Sequence, residues 1–466
     1  MTSKIVVNNI ESDSGISSVT FNSNIQIGTG TTIHSSGIDL GSGNITGGIV
    51  TATSFSGSAA NLTNIPAGNL SGTLPALDGS ALTGVGVGTA DSINTSGIIT
   101  ATTFNYTGNQ NLSHRNIVIN GAMTIAQRGT SSAGGEGYKT VDRFQYYKSG
   151  TNETPNQAQV DVAAGTTPYT LGFRKAYQVE NGNQLSPGAS DLVFIETNLE
   201  AQDLANCGWN YTSSSSYITL SFWVKSSVAQ NFYGYLLTVD GTAYQYPFET
   251  GSLSANTWTK VTKTIPGNSN LQFDNNNNKG LGIIWWPFLG DSYTDPGVSL
   301  NTWATWATGT RTPDSTNTWY LTNDATFQIT GVQLEVGPVA TPFEHRSYGE
   351  EFARCQRYYQ QYVNISAVGY VPNNGSRTYS HGFFFPVEMR SAPTMSITNT
   401  GSSNGQYITD GSGNAYVSSV LSQGSKTTHM SVSFNISTDL TDYRGAYLFG
   451  TENTTYQTTY KIAAEI

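Results

Sequence analysis

The sequence predicts a mainly β protein: an extended repetitive trimeric shaft followed by a jelly-roll-like β-sandwich, a short connecting helix and a small β-rich distal domain. Three observations predict it. Charged residues make up only 11% of the 466, against roughly 25% in an average soluble chain, while Gly, Ser, Thr and Asn abound. The first ~115 residues hold few aromatics (Phe21, Phe55, Phe104 and Tyr106) and none of the eight Trp of the whole chain. Beyond them, apolar and polar residues alternate in short runs, the period of half-buried strands.

Residues 1–115 are read as the shaft. Gly48-Ile49-Val50-Thr51-Ala52-Thr53-Ser54-Phe55 recurs as Gly97-Ile98-Ile99-Thr100-Ala101-Thr102-Thr103-Phe104, with shorter echoes at Asn61-Leu62-Thr63, Asn69-Leu70-Ser71 and Ala81-Leu82-Thr83. Such a segment cannot build a core alone. It is either a solvated linker or a slender shaft in which matching Ile, Val, Leu and Phe of three chains meet on a common axis. Met1 to Gly15 has no apolar signal-peptide core or small-residue cleavage site, which predicts synthesis without export.

Residues 116–346 are read as the sandwich. Ile218, Leu220, Phe222 and Val224 face one way and Thr219, Ser221, Trp223 and Lys225 the other. In Phe327 to Val336 the apolar set moves from odd to even numbers at Gly331, the signature of a β-bulge. Gly280 to Gly290, the most apolar stretch, is about eleven residues, short of the ~20 that span a bilayer, so no membrane insertion is expected.

Residues 347–362 are read as the connecting helix. Ser347 can cap it, Glu350 and Glu351 occupy its first turn, and Arg354 and Arg357 lie further along, in keeping with the macrodipole. Phe352, Cys355, Tyr359 and Tyr362 form a heptad-like stripe that either packs on the domain or meets two symmetry mates. Residues 363–466 return to strands, as in Ser431 to Ile436, with turns at Pro372-Asn373-Asn374-Gly375 and Asp410-Gly411-Ser412-Gly413. Cys207 and Cys355 are too few for a disulfide framework and read as small buried residues.

Several ordered runs resemble the tail fibres of bacteriophages, especially cyanophages. They are Ile119-Asn120-Gly121-Ala122-Met123 with Gln127-Arg128, Val141-Asp142-Arg143-Phe144, Leu220 to Ser226, Asn256-Thr257-Trp258, Ile265-Pro266-Gly267, Ile329 to Glu335, Ala340 to Arg346, Cys355-Gln356-Arg357-Tyr358-Tyr359 and Pro386 to Thr394. The resemblance implies a virion protein made in the host cytoplasm. It implies a homotrimer whose N-terminal segment joins a phage tail or baseplate protein and whose distal parts touch the host surface.

The formal charge of −10, with no long basic run, argues against nucleic acid as a partner. The five histidines are scattered without metal-ligand spacing, so neither a metal nor a cofactor is expected. Gly401-Ser402-Ser403-Asn404-Gly405 matches Gly-x-Ser-x-Gly but lacks the flanking strand and helix of a nucleophile elbow. Asp291, Asp295, Asp314 and Asp324 are the carboxylates a polysaccharide-cutting tailspike could use, though aspartates in such loops commonly form turns.

Aromatics are the stronger signal. Sugar rings stack their C–H faces on flat side chains, and an aromatic stretch runs from Trp285-Trp286 through Trp303, Trp306, Trp319 and Tyr320 beside Asn301, Asp314 and Asn317; any one of these rings can instead fill the core, and Trp303 and Trp306 are the better surface candidates. Tyr370, Tyr379, Tyr407 and Tyr416 lie near turns of the distal domain, a composition suited to adaptable recognition. The expected function is non-enzymatic: adsorption through multivalent binding to a host-surface glycan or other receptor, with a depolymerising tailspike as the alternative.

Overall fold

The computed structural model describes residues 114–371, 378–399, 406–411, 414–440, 444–448 and 457–466, all within one compact unit. The repeats of residues 1–113, the turn at 372–375 and the Gly-x-Ser-x-Gly match lie outside the described residues.

The first strands in chain order are β1 (Ser131–Ser132), β2 (Phe144–Ser149), β3 (Asn156–Asp161), β4 (Lys175–Glu180), β5 (Leu192–Glu200), β6 (Tyr217–Ser226), β7 (Gln230–Thr238), β8 (Tyr244–Leu253), β9 (Thr259–Pro266), β10 (Lys279–Leu289), β11 (Ala304–Thr305) and β12 (Thr326–Val336). They make two six-stranded sheets, β1-β3-β4-β12-β6-β9 and β11-β8-β7-β10-β5-β2. Taken alone, β4 to β10 and β12 give the two strand orders of a jelly roll, β4-β12-β6-β9 and β8-β7-β10-β5, as the sequence suggests.

The inner faces follow from period two. Ile218, Leu220, Phe222 and Val224 are all buried and meet Val193, Ile195, Leu281, Ile283 and Trp285 from the opposite sheet. Trp285 lies edge-on to Phe222 at 5.5 Å between centroids. Its register partner is Gly234, where a Cβ would stand 2.5 Å from both the Phe248 ring and the Ile284 carbonyl. Here the missing side chain makes room for the Phe248 ring and the β10 backbone.

The expected bulge is present. Thr330 pairs with Trp223 but Gln333 with Ser221, leaving one extra residue on β12. Gly331 takes φ +62, so Phe327 and Ile329 before it and Val332 and Leu334 after it all reach the core. The Ile119 to Met123 motif packs on this bulge: Val332 N–H donates to Gly121 O at 2.9 Å. The buried Asn120 amide donates to the Ile125 and Asp142 carbonyls.

The helix is shorter than the sequence suggests. It spans Tyr348–Gln356, capped by Ser347, whose side chain accepts from Glu350 N–H. The stripe positions Tyr359 and Tyr362 instead lie in β13 (Tyr359–Val363). Their aromatic, β-favouring sequence is captured by pairing with the chain's last strand.

The distal strands are β14 (Ala367–Tyr370), β15 (Thr378–Phe384), β16 (Thr394–Asn399), β17 (Tyr407–Thr409), β18 (Asn414–Ser425), β19 (His429–Ile436), β20 (Gly445–Leu448) and β21 (Thr458–Ala463). β14-β15-β19-β18-β17-β20 close into a barrel, and β13-β21-β16 form a three-stranded sheet beside it. Val432, Phe434 and Ile436 fill the barrel as their alternation requires.

The motif residues join these two cores. Arg357 makes a two-point contact with the buried Glu200 carboxylate, 2.8 Å at each oxygen, and the Tyr358 hydroxyl donates to the same group at 2.6 Å. Arg143 pairs with Glu465 and stacks over Tyr358 at 3.5 Å. Arg128 bridges Asp142 and Glu465. Such desolvated pairs hold register, and stranding one partner costs roughly 3–5 kcal/mol.

Candidate functional site

Alternation on β5 sends Val193, Ile195 and Leu199 inward, leaving Phe194 and Glu196 on the outer face of the second sheet. The same rule divides the Trp pair on β10: Trp285 is core, and Trp286 is outside. Register then places Tyr147 of β2 opposite Phe194 and Tyr235 of β7 opposite Ile284.

These rings form a strip across four neighbouring strands, β2-β5-β10-β7. Centroids lie 5.6 Å apart for Tyr147 and Phe194, 5.0 Å for Phe194 and Trp286 and 5.7 Å for Trp286 and Tyr235. At one end Tyr147 is 49% exposed, whereas Trp286 is 3% and Tyr235 4% exposed.

The buried end is roofed by the segment after β10. Arg311 N–H donates to Tyr293 O at 2.9 Å, and its guanidinium carbon lies 4.4 Å from the Tyr293 centroid and 5.7 Å from those of Trp286 and Trp306. Each such cation–π contact is worth about 0.5–2 kcal/mol according to desolvation. Burial pushes the Tyr235 phenol up to about 12, opposed by the nearby Arg311 charge. On the same face Gln145 and Lys279 both donate to Glu196, at 2.9 and 2.5 Å, giving the strip a polar flank. A half-open aromatic strip with such a flank can stack a ring's apolar face and hydrogen-bond its hydroxyls.

The structure disperses the residues singled out in the sequence. Trp306 joins the Arg311 roof. Trp303 is an anchor instead: its indole N–H donates to Pro266 O at 2.7 Å, and its ring packs against Tyr246. Tyr320 is corrected as a surface candidate. It is 0% exposed, stacks on Phe288 at 4.0 Å and donates its hydroxyl to Asp191, because the short helix Thr318–Leu321 turns it into the core.

Tyr370, Tyr407, Tyr379 and Tyr416 all belong to the barrel, on β14, β17, β15 and β18. Tyr370 is 55% exposed, and Tyr407 and Tyr416 are half-buried register partners. For Tyr379 only the backbone is described, opposite Phe434.

The four aspartates stand in loops and turns, three of them accepting hydrogen bonds from the protein itself. Asp291 begins a short 3₁₀ turn, Asp295 accepts from Gly297 N–H, Asp314 accepts from the Thr294 hydroxyl, and Asp324 accepts from Asn323. Among the described residues no group of three His, Cys, Asp or Glu could hold a metal ion, and no helix is long and apolar enough to cross a membrane.

Tyr147, Phe194 and Arg311 were missed in the sequence. The available signal was that β5 and β10 are apolar on both faces, more than a sheet with one solvated side needs.

No protein-family model and no curated protein matches the chain. Among solved structures it is similar to the enzymatically active domain of tailspike protein 4 of bacteriophage CBA120, with 9% identity, 48% of this chain and 21% of that one covered, and a TM-score of 0.26. The chain thus matches about a fifth of that domain's length. A putative sugar binding protein from Bacteroides thetaiotaomicron is similar at 11% identity, 48% and 100% coverage and a TM-score of 0.24. A family 11 carbohydrate-binding module from Clostridium thermocellum, in complex with a mixed-linked tetrasaccharide, is similar at 11% identity, 46% and 97% coverage and a TM-score of 0.21. Likeness this low carries no argument about ligands.

Proposed function

We propose that this chain is a non-enzymatic saccharide-binding fibre, a phage tail-fibre protein that holds the virion on host-surface glycan. The observation that carries the reading is the strip of Tyr147, Phe194 and Trp286, open at its Tyr147 end and roofed by Arg311. Besides the core filled by Phe144, Phe222 and Trp285, a second cluster that buries Tyr235 and Trp286 runs out to the surface through Phe194 and Tyr147, where a ring is left unspent.

The fibre part of the reading rests on the resemblance of the motif runs and on the repeats of residues 1–113. In it three chains associate, the N-terminal segment joins the tail or baseplate, and the sandwich and barrel face the host. A single saccharide contact near millimolar affinity is worth about 4 kcal/mol. Three linked faces per fibre, and several fibres per particle, gain roughly 10²–10⁴ in avidity with no new contact.

Retention of the full-length protein on immobilised host-surface polysaccharide tests the reading. Tyr147→Ala should weaken retention about three- to tenfold, the loss of one ring contact of about 1 kcal/mol, and no soluble oligosaccharide should appear. Unchanged retention in the variant removes the strip from binding. Release of oligosaccharide selects the depolymerising alternative.

A further inference from the structure

We propose that the saccharide taken by this face is acidic, a uronate-bearing chain whose carboxylate seats on Arg311; the inference rests on the reading of the strip as a saccharide site. The guanidinium is the unmatched group. A guanidinium stays charged at any physiological pH and offers a planar fork of donors fitted to a carboxylate.

Eight of the other described arginines meet this demand within the protein, and the exposed Arg444 meets it in solvent. Arg128, Arg143, Arg346, Arg354 and Arg357 each face a carboxylate. Arg115, Arg174 and Arg390 donate to backbone carbonyls. Arg311 does neither among the described residues: its Nε is buried without a hydrogen-bond partner, and no carboxylate lies within ion-pair distance of it. Its contacts are the faces of Tyr293, Trp286 and Trp306, which hold a cation in place yet satisfy none of its N–H donors.

No carboxylate near Arg311 in sequence pairs with it: Asp324 accepts from Asn323 and Asp291 opens a short 3₁₀ turn. Asp314 accepts from Thr294, Asp295 from Gly297, and on the sheet face Glu196 is taken by Lys279 and Gln145. A half-buried cation fixed in position with its donors unspent is arranged for an anion from outside. Trp286 lies buried beneath that cation, and the strip reaches the surface at Phe194 and Tyr147, where a flat ring-bearing body can stack. A uronate polymer supplies both parts, since each residue has a pyranose face for stacking and a carboxylate at its edge. The overall charge of −10 repels polyanions in general, so binding depends on this local cation.

The full-length protein is titrated by calorimetry with three probes: oligogalacturonate, the same oligomer methyl-esterified, and a neutral β-glucan oligomer. Arg311→Gln and Arg311→Lys are compared, with thermal melts to check folding. Oligogalacturonate should bind at least tenfold more tightly than its ester, which differs only in charge. Arg311→Gln should abolish that preference, and Arg311→Lys should retain part of it.

Equal binding of acid and ester overturns the proposal while leaving the strip as a saccharide site. So does a folded Arg311→Gln that keeps the preference. Should Arg311→Gln not fold, the acid-against-ester comparison on the unaltered protein still decides. Binding of none of the probes overturns the uronate, and failure on host-surface polysaccharide as well overturns the saccharide reading beneath it. A dextran sulfate control that binds where oligogalacturonate does not also overturns the uronate in favour of a sulfated chain.

Discussion

Glu200 and Asp203 lie three residues apart and titrate in opposite directions. Burial opposes the Glu200 charge, but the hydrogen bonds from Arg357 and Tyr358 outweigh it and hold the carboxyl below its ordinary range. Asp203 has no such donors; burial first, then the Glu200 charge, push it up to about 6. A carboxyl whose folded value exceeds its unfolded one binds protons more tightly in the native state. Its contribution is therefore most favourable below the ordinary value near 4 and is lost as pH rises through about 6. Asp203→Asn should leave stability at pH 4 nearly unchanged and raise it on the order of 1–3 kcal/mol at pH 7.5, read from urea melts at the two pH values. Equal effects at both would remove the titration.

Single residues also mark what the sequence displays and what it hides. Trp285 and Trp286 are chemically alike, and only strand parity sends one to the core and the other to the outer face. Tyr320 looks like a ligand-binding ring in sequence, yet its hydroxyl has a partner in Asp191, reached only after folding. Arg311 is ordinary as a letter. Its missing counter-ion is a fact about space.

At the scale of elements, β6 and β12 were legible because the information is local. Alternation over Ile218 to Val224 gives the inward face, and the change of parity at Gly331 gives the bulge. The bulge also needs glycine there, since φ is +62 and a Cβ would stand 2.7 Å from the Phe173 ring. The end of the helix was not legible. Tyr359 and Tyr362 continue the helical stripe as well as they open a strand, and the contest is decided by β21, almost a hundred residues later. The strip was partly legible through the doubly apolar β5 and β10, but the segment that roofs it is irregular and carries no period to read.

For the whole molecule, three of the motif runs that resemble phage fibres fasten the sandwich to the barrel, through Arg128, Asp142, Arg143, Arg357 and Tyr358. They carry architecture, and the proposed saccharide face lies among residues outside those runs, such as Tyr147, Phe194 and Arg311. Trimerisation belongs to the proposed fibre, with the repeats of residues 1–113 as its basis. Light scattering on the full-length protein should give three copies of the 49.9 kDa chain, about 150 kDa; a monomer would leave the sandwich as an isolated binding module.

The most direct test of the proposed saccharide face is hydrogen–deuterium exchange of the full-length protein with and without host-surface polysaccharide. Protection gained over β2 and residues 290–313, around Tyr147, Tyr293, Trp306 and Arg311, is the expected result. Protection confined to the barrel, at β14, β17 and β18, would contradict it and place recognition on the distal tyrosines.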